Sequence, residues 1–406
     1  MKKSKSPAIP SMLRAINERR VLDGLRESGA LHAAEIARIN GLSRPTTSLV
    51  LKSLTQSGLV QEYFPGESDS KRAKSVFEAV SDVKLGLGID IGAKFIRVAL
   101  GDLTGKTLSQ ESFAVKKLSL SEILETIKTG VDQVLKTSKH SIKDVASIVV
   151  GTPGVIDQKS GKVAIAGTID SLDGVNLGKL IQAQFKITPL VENDINLVTI
   201  AEQGHGFGNG KENFAVLSIG SGIGSGLVLN GKLHRGHRGA AGEIFYIPFG
   251  DPFDTHKTAT NPSADLLPEL AKNLASKYRS TSLKTPYSNE KIMEAARMGD
   301  SLGLAVVNEE AARIALYIAG IASVVDVEVV ILSGGIGRQA DVLLDPIISI
   351  MAKILPFPPK IEVSKLGDSA VLIGAIDIAT DLACDLVFEE RMAGNYTPTK
   401  LLEIAR

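Results

Sequence analysis

The sequence predicts an α/β protein with a winged helix-turn-helix at its front and a larger α/β body behind it. Three observations predict this. The first 80 residues read as three short helices and then two strands. They carry 13 Lys and Arg against 8 Asp and Glu, in a chain whose net charge is only +1. From Lys84 onward, apolar runs ending in glycine alternate with amphipathic stretches. A length of 406 residues exceeds one ordinary core, so two or three domains are expected.

Residues 1–10 are rich in Lys, Ser and Pro and predict a disordered arm. Ser11 is placed to cap a first helix with Leu13, Ile16, Val21, Leu22 and Leu25 inward, ended by Gly29. Residues 31–37 predict a second helix, and Gly41 a turn. Ser43 is a natural cap for a third helix with Pro45 in its first turn and Val50, Leu51 and Leu54 inward. Ser43, Arg44, Thr46, Thr47, Ser48 and Lys52 form its expected outer face, where hydroxyls and long cations suit base edges and phosphates. Residues 59–64 and 75–80 pair as a wing whose loop carries Lys71 and Arg72. A basic front on an acidic body points to a polyanion, operator DNA; a small protein-binding helical module is the alternative.

The body opens with a strand at residues 85–92, which includes Asp90 and closes on Gly92. Its hairpin partner covers 95–102, and an amphipathic helix covers 121–138. A strand at 145–150 runs into Gly151-Thr152-Pro153-Gly154, at the kind of strand end where open α/β sheets hold ligands. Residues 189–192 predict a strand, and Asn193-Asp194 open a helix running through Glu202. An Asn or Asp there is first a helix cap; the pair also suits the gripping of a polyol.

Residues 215–243 organise the rest. An apolar run at 215–219 stops at a turn containing Gly220, Ser221, Gly222, Gly224 and Gly226. A second run, 227–229, ends on the hairpin pair Asn230-Gly231. Such a loop either holds a phosphate or is a tight β-turn. Beyond it lie Glu243 and Tyr246, then a polar tract to about 289 with no clear assignment. Helices follow near 291–299 and 302–326, then a buried strand at 327–332 closed by Gly334 and Gly335. A last strand at 360–364 and a helix from 369 complete the chain.

Some chemistry is excluded. A single cysteine, Cys384, permits no intrachain disulfide and no Cys-cluster metal site. The six histidines are scattered, so no metal site is expected. No long apolar segment or leader pattern is present, and a soluble cytoplasmic protein is expected.

Five motifs stand in one order: Gly88-Ile89-Asp90-Ile91-Gly92, Gly151-Thr152-Pro153-Gly154, Val191-Glu192-Asn193-Asp194, Gly220-Ser221-Gly222 with Ala241-Gly242-Glu243, and Ser333-Gly334-Gly335. This series resembles the ROK family of repressors and sugar kinases, from Lys84 nearly to the end, and the winged helix matches its repressor branch. The resemblance implies an actin-like ATPase fold with a sugar between two α/β lobes. It implies boundaries of 1–82 for the winged helix, 83–200 for the first lobe and 201–406 for the second, with the last helix free to return to the first. It implies a sugar site of Gly154, Thr168, Asn193, Asp194, Glu243 and Tyr246, with Asp194 the base if the protein phosphorylates its sugar. It implies a vestigial phosphate site of Asp90, Gly92, Lys94, Ser221, Gly222, Gly334 and Gly335.

The departures from the kinase pattern matter. Ala93 and Lys94 stand where the family's phosphate loop has Gly and Thr. Phe245 and Tyr246 stand where its sugar motif has Gly and His, and the cysteines of its zinc loop are missing. Thr168 and Leu172 take the places of its sugar-contacting Asn and Trp. The expectation is therefore a homodimeric, or homotetrameric, repressor that answers a small sugar or sugar-phosphate effector and uses no cofactor. An ATP-dependent sugar kinase with an attached DNA-binding domain is the alternative, and a regulator answering a transporter domain a third reading.

Overall fold

The computed structural model describes residues 10–64, 75–115, 119–157, 159–167, 169–247, 261–278 and 280–392. The expected arm before Pro10, the wing loop with Lys71 and Arg72, and Thr168 lie outside the described residues.

The front part holds helix α1 (Pro10–Ser28), strand β1 (Leu31–His32), helices α2 (Ala33–Asn40) and α3 (Arg44–Gln56), and strands β2 (Val60–Tyr63) and β3 (Val76–Ala79). The strands form one sheet in the order β1-β3-β2. Helix α1 spans Pro10–Ser28, so the position expected to cap it, Ser11, falls within it. The second helix starts at Ala33 rather than Leu31, because Leu31 and His32 pair with Phe77 and Val76 as an edge strand. The backbone N–H of His32 donates to Glu35 Oε2 at 3.2 Å, which fixes the helix start there. Gly41 ends α2 at φ 62°, in the left-handed region open to glycine. Ser43 caps α3 by accepting the Thr46 N–H, with Pro45 in the first turn.

The body is built on two five-stranded sheets. The first has strands β4 (Leu85–Ile91), β5 (Phe95–Asp102), β6 (Thr107–Ala114), β7 (Val145–Thr152) and, after the short hairpin β8 (Val155–Ile156) and β9 (Val163–Ala164), β10 (Leu190–Asn193). Helices α4 (Leu120–Ser138) and α5 (Leu177–Phe185) lie between them in sequence. Helix α6 (Asp194–His205) leads to the second sheet: β11 (Phe214–Ile219), β12 (Ile223–Leu229), β13 (Lys232–Leu233), β14 (Val329–Ser333) and β15 (Lys360–Val363). Its helices are α7 (Leu267–Ala275), α8 (Asn289–Arg297), α9 (Ser301–Val325), α10 (Gly334–Gly337) and α11 (Ala340–Ile354). The chain then enters helix α12 (Ala370–Met392).

Both sheets use one plan. Their orders are β10-β7-β4-β5-β6 and β13-β12-β11-β14-β15. In each, three strands meander antiparallel, and two later strands add in parallel on the far side of the first. The paired sheets make the body actin-like, as the motif series implies.

Every residue of β4 is buried. Its alternating glycines explain how. A Cβ on Gly86 would stand 2.7 Å from the Ala379 carbonyl carbon, and one on Gly88 3.1 Å from the Ile376 side chain. These glycines let α12 lie directly on the first sheet, although α12 follows the second in sequence.

Three elements depart from the expected ones. Gly224 and Gly226 belong to β12, not to the turn. A Cβ on Gly226 would stand 1.9 Å from Thr199 Oγ1, so the glycine serves the packing of α6 against that strand. Helix α7 occupies part of the tract that carried no assignment. Helix α11 was not expected; it contains Pro346, a residue that normally argues against a helix interior.

Candidate functional site

Parallel pairing brings three strand ends together. Asp90 of β4 stands opposite Gly151 of β7, and Gly151 and Thr152 stand opposite Glu192 and Asn193 of β10. This carboxyl edge of the first sheet is where open α/β folds bind ligands. Asn193 caps α6: its Oδ1 accepts the Ile195 N–H at 2.9 Å, and its Nδ2 donates to the Gly154 carbonyl at 2.8 Å. The amide therefore ties the helix start to the β7–β8 turn. Gly154 sits at φ 97°, and a Cβ there would stand 2.8 Å from the Ala164 carbonyl, so only glycine fits that turn.

Asp194 follows the cap. Its Oδ1 accepts the Ile195 N–H at 2.7 Å, and burial pushes its carboxyl above the usual range. Its charge reaches two other carboxylates. Asp90 is pushed up to about 6, first by burial and last by Asp194, against the pull of Arg97 Nη1 at 2.9 Å. Glu243 is raised first by burial and then by Asp194. Burial and the charge of Asp194 thus raise both of these carboxylates. They can accept several hydroxyl hydrogen bonds, and charge-assisted ones are about twice as strong as neutral ones.

Glu243 arrives on a loop strung between the sheets. A Cβ on Gly242 would stand 1.9 Å from the Ser225 carbonyl of β12, and one on Gly239 3.0 Å from the Ile156 carbonyl of β8. The same loop carries Arg235, whose Nε lies 2.6 Å from Glu192 Oε2. Oε1 of that buried glutamate accepts the Asn193 N–H at 3.0 Å and Asn196 Nδ2 at 2.8 Å. Sequence reasoning missed Arg235; its only signal is a cation in a glycine-rich loop. Tyr246 is 46% exposed, and its ring meets Phe245 edge-on at 5.4 Å.

Of the residues assigned to phosphate, Asp90 is the one coupled to Asp194. The Gly92 N–H donates to the Phe95 carbonyl at 2.9 Å, which spends it inside the turn. The Gly220 N–H is likewise spent on the Gly222 carbonyl at 2.9 Å, while Ser221 is half-buried and Gly222 exposed. Gly334, at φ 80°, packs so closely that a Cβ would stand 2.4 Å from the Ile219 carbonyl. Lys94 is exposed and lines a cavity of about 940 Å³ with Gly335, Asn289, Lys284 and Lys291. Neither Asp194 nor Glu243 lines that cavity. Leu172, in the place of the family's Trp, is fully buried in the first lobe's core. Among the described residues, no group of three or more His, Cys, Asp and Glu side chains could hold a metal ion. No helix among them is long and apolar enough to cross a membrane.

On the front part, Ser43, Arg44, Ser48 and Lys52 are exposed on α3. Thr46 is half-buried, with its hydroxyl 2.8 Å from Ser43 Oγ. Thr47 corrects the expected outer face: it is 1% exposed, and its Oγ1 donates to the Ser43 carbonyl at 3.0 Å. Helical spacing puts residue 47 with Val50, Leu51 and Leu54 on the inner side.

Helix α12 joins the two ends of the molecule. Near its start, a Cβ on Gly374 would stand 2.0 Å from the Leu197 carbonyl of α6. Near its end, Ala383, Cys384, Val387 and Phe388 share one core with Val21, Leu22, Leu25, Leu54 and Leu59 of the winged helix. Asp377, Asp381 and Asp385 recur every fourth residue along it, so they line one face. Each is answered from another element: Asp377 by His205 of α6 at 3.0 Å, Asp381 by Arg26 of α1 at 2.8 Å, and Asp385 by Arg19 of α1. The helix that begins at Asp194 therefore ends at His205 against the same carboxylate row that holds the winged helix.

A family model covers residues 86–382 of this chain, and it is that of the ROK family. The chain belongs to the ROK family. A relative named Xylose repressor, from Caldicellulosiruptor bescii, is 24% identical over 383 residues, or 90% of this chain and 96% of that one. A relative named Glucokinase, from Halalkalibacterium halodurans, is 28% identical over 306 residues, or 71% of this chain and 92% of its own. The crystal structure of a ROK family transcriptional regulator, a homolog of E. coli MLC protein, matches with a TM-score of 0.76 at 20% identity. That match covers 94% of this chain and 99% of that one, so it extends over the winged helix as well as the body. The regulator match spans 94% of this chain, and the glucokinase relative matches 71% of it.

Proposed function

We propose that this chain is a sugar-responsive DNA-binding regulator, a repressor whose kinase-like cleft serves as a sensor. One observation carries the reading: α12 packs on α6, which starts at the carboxylate cluster, and also forms part of the core of the winged helix. A ligand gathering Asp194 and Glu243 pulls on the start of α6. The displacement passes through Leu197 and the His205–Asp377 pair to α12, and so to the DNA-binding head.

The division of labour follows from the positions. Residues 1–82 bind operator DNA, and residues 83–200 and 201–406 form the lobes that close on the sugar. Asp194 and Glu243 accept hydroxyl protons, Tyr246 offers a ring face or a hydroxyl, and Asn193 and Gly154 fix the helix start behind them. The assignment includes no cofactor. The zinc-loop cysteines are missing, and the Gly92 and Gly220 N–H groups are already hydrogen-bonded within their own turns. As a homodimer, the protein would set two heads on two half-sites one or two helical turns apart. Only a ligand with unequal affinity for the two head arrangements moves them.

Thermal-shift screening against a sugar library tests the sensor, because a ligand at about a hundred times its Kd adds about 2.7 kcal/mol to stability. A library without a single stabilising sugar contradicts the reading.

The kinase is the second reading, and one observation favours it. Burial raises the Asp194 carboxyl, as suits a general base. Incubation with ATP and a panel of hexoses, N-acetylhexosamines and pentoses separates the two. Phosphate transfer that vanishes in Asp194→Asn establishes the kinase; ATP left intact beside a bound sugar leaves the sensor.

A further inference from the structure

We propose that Leu49 reads the C5-methyl group of a thymine in each operator half-site; this rests on the DNA-binding reading above. Leu49 is 67% exposed, although it lies in a helix whose other leucines, Leu51 and Leu54, are buried. Pro45, Leu49, Lys52 and Gln56 follow at spacings of four, three and four, so they form one stripe along α3. All four are exposed, and among the described residues nothing covers them. Ser48 stands exposed beside the stripe, while Thr47 points inward.

Leu49 is thus the apolar centre of the face that meets the major groove. On that face Lys52 and Arg44 suit phosphates or guanine, and Ser48 suits either kind of base edge. Leucine has no donor or acceptor, so it cannot read a base hydrogen-bond pattern. The thymine methyl is the one apolar group in that groove, and apolar side chains recognise it. A cavity of about 750 Å³ opens beside this face, lined by His32, Glu35, Arg44, Ser48 and Phe64.

The test starts with selection of sites from a randomised duplex library by the full-length protein. Each thymine of the selected site is then replaced by deoxyuridine, which removes only the methyl. One thymine per half-site is expected to weaken wild-type binding about fourfold when replaced, the value of one buried methyl group. Leu49→Ala is expected to bind the thymine site about as weakly as wild type binds the uracil site, and to be indifferent to the replacement. Its salt slope should equal that of wild type, because Leu49 touches no phosphate. Leu49 is exposed, so the variant loses no core packing, and circular dichroism verifies that it folds.

A selected site with no methyl-sensitive thymine overturns the proposal alone. So does a Leu49→Ala protein that keeps the wild-type sensitivity, or one whose only change is its oligomeric state by light scattering. A library with no enriched site overturns the DNA-binding reading, and this proposal with it.

Discussion

Arg235 Nε lies 2.6 Å from Glu192 Oε2, and this ion pair ties the loop carrying Glu243 to the strand carrying Asn193. It joins the loop after β13 to β10 at the one buried glutamate whose other oxygen orients Asn193 and Asn196. The Glu192 side chain is 8% exposed beside Arg235, and Arg235→Ala removes the cation that answers its charge. We expect a loss of about 1–3 kcal/mol in urea unfolding, because truncating one partner leaves the other desolvated. Arg235→Lys, which keeps the charge, should recover part of the loss.

Glu243→Gln and Asp194→Asn are expected to abolish the thermal shift produced by the sugar. The melting temperature of the empty protein should hold or rise, because burial already disfavours both charges and Asp194 adds to this at Glu243. Differential scanning fluorimetry with and without sugar measures both effects. A variant that keeps its full sugar shift contradicts the assigned site.

Glu310 carries a pH effect of its own. It is 1% exposed in α9, its Oε1 has no hydrogen-bond partner, and burial pushes its carboxyl up to about 8. Between its usual value near 4.5 and about 8, the folded chain holds a proton that the unfolded chain has released. Stability from this group is therefore complete below the lower value and is lost as pH rises through the upper one. Glu310→Gln should stabilise by roughly 1–3 kcal/mol at pH 8 and by much less at pH 5, read as unfolding midpoints at both pH values. An equal effect at both excludes the buried-acid account.

The two faces of α3 should separate. Arg44→Ala is expected to weaken operator binding and to reduce the salt slope by about one, as loss of one phosphate contact does. Thr47→Val removes the 3.0 Å bond to the Ser43 carbonyl and should lower stability by about 1 kcal/mol with the salt slope unchanged. Fluorescence anisotropy over a salt series measures the slopes.

The elements with a clear period could be read from the chain. Strand β11 and helix α4 announce themselves by apolar spacing, and the Asn230-Gly231 turn by two residues that tolerate positive φ, 53° and 72°. Thr47 was misplaced because a hydroxyl at a helix start suits either face, and only the core beneath α3 decides. Gly224 and Gly226 were misplaced for a related reason: a glycine freeing a turn and a glycine admitting a helix look alike in sequence. Helix α11 was hidden by Pro346. Among the cleft residues, Asp194 and Glu243 could each be named from a motif. The effect of Asp194 on Glu243, and the reach of Arg235 to Glu192, depend on two sheets meeting. The row Asp377, Asp381 and Asp385 is visible as a spacing, but its partners Arg19, Arg26 and His205 lie more than 170 residues away.

The head is held by charges as well as by apolar packing. Arg26 is 9% exposed and bonds Asp381, Asp23 and the Leu103 carbonyl. Arg26→Met keeps the bulk and removes the charge. Operator binding without sugar should persist, and the response to sugar should weaken.

Operator affinity as a function of cleft occupancy tests the central claim most directly. Anisotropy of a labelled operator with the full-length protein, titrated with the sugar that stabilises it, gives the coupling. The account predicts a weaker operator Kd at saturating sugar and, by linkage, a weaker sugar Kd on operator-bound protein by the same factor. A sugar that fills the cleft and leaves the operator Kd unchanged contradicts it.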